Sequence, residues 1–126
     1  MKRFVLIISA VLLLGLTSCK TTEVENIPAD LTAAQLLQLG QDAESASQYK
    51  AAEKYFVTTI QRFGLDNAIY VEARYELGNC YLKEKKYDMA KGCFTEILSM
   101  YENSGIGELP AAFQKLANIG LGKIPE

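Results

Sequence analysis

Leu39-Gly40, Tyr49, Ala52 and Phe56 recur as Leu77-Gly78, Tyr87, Ala90 and Phe94, every pair 38 residues apart. Five matched positions at one spacing mark an internal repeat. A repeat of that size decides the fold before any local propensity does. Each copy reads as a helical hairpin. In the second, Arg74, Leu77, Gly78 and Tyr81 stand at i, i+3, i+4 and i+7, one face of a helix. Ala90, Phe94, Ile97 and Leu98 form the facing stripe of a partner helix, and Lys83-Glu84-Lys85-Lys86 is the polar turn between them. In the first copy the faces are Leu36, Leu39, Gly40, Ala43 and then Ala52, Phe56, Thr59, Ile60, joined at Ala46-Ser47-Gln48.

The small and large residues have distinct jobs. Gly78 and Ala90 leave room where the two helices come closest, while Tyr81, Tyr87 and Phe94 fill the space where they diverge. A larger side chain at Gly78 forces overpacking, which costs roughly 1–3 kcal/mol. Thr32 with Gln35 reads as a capping box, and Asp66 or Asn67 as the cap of the third helix. Gly64 and the stretch from Asn103 to Gly107 read as helix stops. Pro110 stands where a fifth helix begins, with Phe113, Leu116, Ala117 and Leu121 on its apolar face. The spacing predicts helices near 32–46, 49–63, 67–83, 87–102 and 109–121, and no segment alternates as a strand does. The expected fold is all-α: two hairpins and a C-terminal helix that is either a cap or the start of an unfinished third repeat.

The beginning of the chain sets its compartment. Met1-Lys2-Arg3 is basic, and the thirteen residues Phe4 to Leu16 are apolar except for Ser9 and Gly15. That run is short of the roughly 20 residues needed to cross a hydrocarbon core, and it fits a secretory signal. Leu16-Thr17-Ser18-Cys19 resembles the bacterial lipobox, which implies cleavage before Cys19 and covalent lipid (diacylglyceryl and fatty acyl chains such as palmitate) on that residue. More than one chain gives stable anchoring, whereas one alone holds weakly. The expected organisation is a signal peptide at 1–18, a lipidated tether at 19–30 and a helical repeat domain at 31–126. Ten tether residues from Lys20 reach about 35 Å at full extension. Lys20 stands where enteric lipoproteins retained in the inner membrane carry aspartate, which points to the outer membrane.

Removal of Lys2 and Arg3 with the signal leaves 11 basic against 15 acidic residues, net −4. No basic field suited to nucleic acid is present. The chain has no histidine, which excludes Ser-His and Cys-His nucleophile pairs. Cys80 and Cys93 fit no metal-ligand spacing and fall in apolar helical runs, where they read as small hydrophobes rather than a disulfide. Glu72 and Glu76, at i and i+4, read as a solvated face rather than an acid-base pair. The expectation is a non-enzyme with no cofactor and no small-molecule substrate.

The repeated residues resemble the tetratricopeptide repeat, closely in the second unit (Leu77-Gly78 and Tyr81, then Tyr87, Ala90 and Phe94) and less so in the first, where Ala43 replaces the first tyrosine. The period is 38 rather than about 34, and the closing proline of each unit is missing. The phrase from Ala73 to Tyr81 followed by Tyr87-Asp88-Met89-Ala90 resembles BamD-like lipoproteins of outer-membrane barrel assembly and, more distantly, the repeat domain of the Tol-Pal coordinator.

The resemblance implies a protein-binding groove lined by the first helix of each hairpin. Carried onto this chain, the groove residues are Gln38, Gln41 and Glu44, then Glu72, Tyr75, Glu76, Asn79 and Lys83, then Gln114, Lys115 and Asn118. Tyr75 is read either as an aromatic hot spot or as packing against the loop from Leu65 to Tyr70. Leu37 and Tyr75 stand where the family's carboxylate clamp begins with lysine, which argues against binding of chaperone tails. The expected function is that of a scaffold on the periplasmic face of the outer membrane, with a barrel assembly protein as partner. An adaptor for envelope or peptidoglycan enzymes and a surface-exposed structural lipoprotein are the alternatives.

Overall fold

The computed structural model describes residues 26–126; the stretch expected to be a signal peptide, Cys19 and most of the expected tether lie outside the described residues. Five helices follow in order: α1 Ala33–Ser45, α2 Tyr49–Phe63, α3 Asn67–Lys83, α4 Tyr87–Asn103 and α5 Ala112–Gly122. No strand occurs among the described residues. The fold is all-α, two hairpins of tetratricopeptide type and one further helix. Among the described residues no helix is long and apolar enough to cross a membrane.

The helix boundaries have local causes. At α1 the Thr32 N–H donates to Gln35 Oε1 at 2.9 Å and the Gln35 N–H donates back to Thr32 Oγ1 at 3.2 Å. This satisfies two donors that the first turn leaves unpaired. At α3 it is Asp66 that caps, accepting from the N–H groups of Ala68 (2.9 Å) and Ile69 (3.3 Å). The two hairpin turns are the same structure placed 38 residues apart. Ser47 and Lys85 both stand at φ 60°. The next residue in each turn reaches back into the helix: Gln48 N–H donates to Ala43 O at 2.8 Å and Lys86 N–H to Tyr81 O at 2.9 Å. That is the six-to-one bond of a Schellman motif, made here without glycine.

α1, α3 and α5 touch in sequence and form one layer. α2 and α4 lie behind them, and among the described residues their backbones do not pack side by side. The first layer is therefore the closed, concave side and the second the splayed, convex side. The core runs between the layers through Leu36, Phe56, Val71, Leu77, Phe94 and Ile97, each at most 2% exposed. Glycines admit the two large rings. A Cβ at Gly40 would lie 2.3 Å from the Phe56 ring, and Cβ atoms at Gly78 and Gly120 would lie 2.7 and 2.6 Å from the Phe94 ring. The Phe94 ring and Cys93 thus fill the room at Gly78, so Phe94 packs at the close approach of the helices and not where they diverge.

Two expectations shift. The α1 face buries Leu37 and leaves Leu39 partly exposed, because α1 packs on α3 as well as on α2. α5 starts at Ala112, three residues later than the periodicity indicates. Leu109 is buried as a plug, 7% exposed. The Pro110 carbonyl accepts from the Tyr101 hydroxyl and from the Phe113 N–H, the latter a single turn that leads into α5. Cys80 and Cys93 are free and buried.

Candidate partner-binding groove

The seam between α1 and α3 is polar. Gln41 Nε2 donates to Glu76 Oε1 at 2.8 Å, and Lys83 Nζ lies 3.1 Å from Glu44 Oε2. The Glu44 side chain is only 10% exposed, and its Oε1 has no partner among the described residues. Burial raises the Glu76 pKa, and the charges of Glu44 and Glu72 add to this, while the Gln41 hydrogen bond and Lys83 oppose it. Glu76 is therefore not the solvated carboxylate that its spacing from Glu72 indicates. It crosses from one repeat to the next, because α1 and α3 pack side by side.

The remaining residues expected in the groove divide into three sets. Gln38, Gln41 and Glu72 line a cleft of about 490 Å³ between α1 and α3, together with Leu37 and Ile69. Asn79 and Lys83 line a second cleft of about 260 Å³ with Leu82, Tyr87 and Lys123. Lys115 and Asn118 are exposed on α5 and line neither cleft; Asn118 Nδ2 donates to its own helix at Gln114 O, 3.0 Å. Tyr75 is half-buried. Its ring centroid lies 6.1 Å from Phe94 and 5.5 Å from Phe113, tilted in both cases. Neither the open hot spot nor packing on the loop from Leu65 to Tyr70, the two readings of the sequence, describes it: the side chain turns toward α4 and α5.

Ile69 and Lys123 belong to the clefts but were missed in the sequence. Ile69 stands at i−3 from Glu72, so helical spacing alone was enough to find it. Lys123 follows α5 and carries no such signal.

On the other side of α3 a second polar cluster ties it to α4. Arg74 Nη2 lies 2.5 Å from Glu96 Oε2, and the Tyr70 hydroxyl donates to Glu96 Oε1. Burial and that hydrogen bond push the Tyr70 pKa up to about 12. Tyr81 donates to Glu53 of α2 at 3.0 Å. These groups join helices to one another. Among the described residues no cluster of acidic, cysteine or histidine side chains could hold a metal ion.

Residues 71–104, which contain the α3–α4 hairpin from Val71 onward, match the tetratricopeptide repeat. Such repeats typically act as non-catalytic scaffolds that bind protein partners. The chain is also similar to an uncharacterized protein of Treponema pallidum (strain Nichols), 31% identical over 110 residues, which cover 86% of this chain and 44% of the relative. The chain thus spans less than half the length of that curated relative. No solved structure matches it.

Proposed function

We propose that the chain is a lipid-anchored scaffold lipoprotein whose α1–α3–α5 face holds a segment of a protein partner. The observation that carries this reading is the floor of that face. Glu44 Oε1 is buried without a donor, and the neighbouring helix adds the carboxylates of Glu72 and Glu76 to the same field. Lys83 already pairs with the other oxygen of Glu44, which leaves the seam with three carboxylates against one ammonium, a field that favours a basic segment of the partner. The lipobox resemblance at Leu16 to Cys19 supports the anchor. The finer reading is an accessory role in outer-membrane barrel assembly on the periplasmic face. It is supported by the likeness of the repeat phrase from Ala73 to Ala90 to BamD-like lipoproteins.

Tagged protein purified from detergent-solubilised membranes, with mass spectrometry of what accompanies it, tests this reading. The control is Asn79→Arg with Gln38→Arg, which fills both clefts without touching the buried core. Recovery of a barrel assembly protein that the control loses supports the finer reading. Recovery of cell-wall enzymes instead moves the scaffold to the adaptor alternative. Equal recovery with the control sinks the groove assignment.

A further inference from the structure

Leu65 and Ile106 are fully exposed, at 103% and 109%, well above the other exposed large apolar residues Met89 (48%) and Ile119 (45%). Single exposed apolar residues are ordinary; the shared location of these two is not. Leu65 lies between α2 and α3, and Ile106 between α4 and α5. Consecutive helices run antiparallel, so both connections sit at one end of the array and the Ser47 and Lys85 turns at the other.

The chain enters at the same end. Arg62, three residues before Leu65, donates from Nη1 to the Pro28 carbonyl at 2.6 Å and from Nη2 to the Ile27 carbonyl at 3.0 Å. Cys19 is eight residues from Ile27, which is at most roughly 29 Å of extended chain. Charge separates the ends as well. Asp30, Asp66, Glu102 and Glu108 outnumber Arg62 beside the exposed pair, while at the far turns Lys83, Lys85 and Lys86 are balanced by Glu44, Glu84 and Asp88. Attraction to anionic lipid therefore gives no reason for the exposed end to meet a bilayer, which leaves apolar contact as the one force that could bring it there.

We propose that Leu65 and Ile106 dip into the bilayer that holds Cys19. The helices then stand with the connections between hairpins on the membrane and the Ser47 and Lys85 turns directed away from it. This rests on the lipid-anchor reading. Two side chains alone bind a membrane weakly. Tethering makes their insertion intramolecular, so a small gain suffices to orient the domain.

The chain contains no tryptophan, so Leu65→Trp, Ile106→Trp and Gln48→Trp each give a single reporter, the last at the far end. The full chain, matured in cells and reconstituted in vesicles of phosphatidylethanolamine and phosphatidylcholine, is read by emission wavelength and by quenching with brominated phosphatidylcholine. The N-terminal peptide mass and vesicle flotation are measured in parallel. The expected result is that the reporters at positions 65 and 106 shift to shorter wavelength and lose most of their intensity to the brominated lipid, while the reporter at position 48 does neither. A lipidated, floating protein whose three reporters all stay in water overturns the orientation and leaves the anchor standing. A shift without quenching means that protein, such as a second copy, covers the patch, and it overturns the bilayer contact. An unlipidated Cys19 removes the anchor and this proposal together.

Discussion

The ring of Phe94 occupies the space that Gly78 leaves open: a Cβ at Gly78 would stand 2.7 Å from Cε1 and 3.0 Å from Cζ. The first repeat makes the same contact more tightly, with 2.3 Å between a Cβ at Gly40 and Phe56 Cε1. Both rings are fully buried and have nowhere to move. Gly40→Ala gains about 1 kcal/mol of helix propensity but forces overpacking of roughly 1–3 kcal/mol, so it destabilises. Gly92 in α4 is exposed and has nothing within 4 Å. Gly92→Ala therefore stabilises by about 0.5–1 kcal/mol. Thermal unfolding followed by circular dichroism should show shifts of opposite sign. A rise in both would contradict the packing account.

The hairpin turns offer a second gain. Lys85 holds φ 60° with an exposed side chain. Left-handed backbone costs a non-glycine residue roughly 1–2 kcal/mol, part of which glycine gives back through the freedom of its unfolded chain. Lys85→Gly should raise stability by about 1 kcal/mol, and Ser47→Gly by a similar amount. Denaturant midpoints that fall instead would mean that the turn is not strained.

Glu76 supplies the pH dependence. Its pKa is raised above the ordinary carboxylate value by burial. The folded state therefore holds its proton more tightly than the unfolded state. The stabilising contribution is complete below the unfolded value and is lost as pH rises through the folded one. Glu76→Gln keeps an oxygen for Gln41 to donate to and removes the buried charge. Its melting-temperature advantage over the natural protein should be absent in acid and grow toward neutral pH. An advantage independent of pH would place the charge in water.

Most of the fold was legible because its determinants repeat at fixed spacing. The Leu-Gly and Phe positions, the Thr32–Gln35 box and Asp66 need only local geometry, and they give helices within a residue of those observed up to Asn103. The start of α5 was not legible, since it depends on Tyr101 reaching the Pro110 carbonyl across a loop. The clefts were legible in part. The resemblance to the repeat family places Gln38, Glu72 and Asn79 in one groove, but does not tell that Glu76 and Lys83 pair with Gln41 and Glu44 of the preceding repeat. Those pairs depend on how far α1 and α3 are offset, which no spacing within one helix records. Tyr75 shows the same limit: the position of α5 decides what its ring touches.

The cysteines should be silent until the protein unfolds. Burial pushes the thiol of Cys80 up to about 12 and that of Cys93 up to about 11. Almost no thiolate is present near pH 8, and reactivity requires thiolate and access. A thiol reagent at that pH should find none of the domain thiols in the native mature protein and both in guanidinium. A third thiol on unfolding would mean that Cys19 is unmodified, and rapid native labelling would mean that α3 separates from α2, where Cys80 lies against the Tyr49 carbonyl, or from α4, where Cys93 lies against Gly78.

The central claim is that a protein partner occupies the α1–α3–α5 face. A photo-crosslinking residue at Asn79 in living cells, compared with one at the exposed convex position Thr95, tests it most directly. The account predicts one discrete crosslinked protein from position 79, reduced by Gln38→Arg, and none from position 95. The same adducts from both positions, or none from position 79 while position 95 captures a partner, would contradict it.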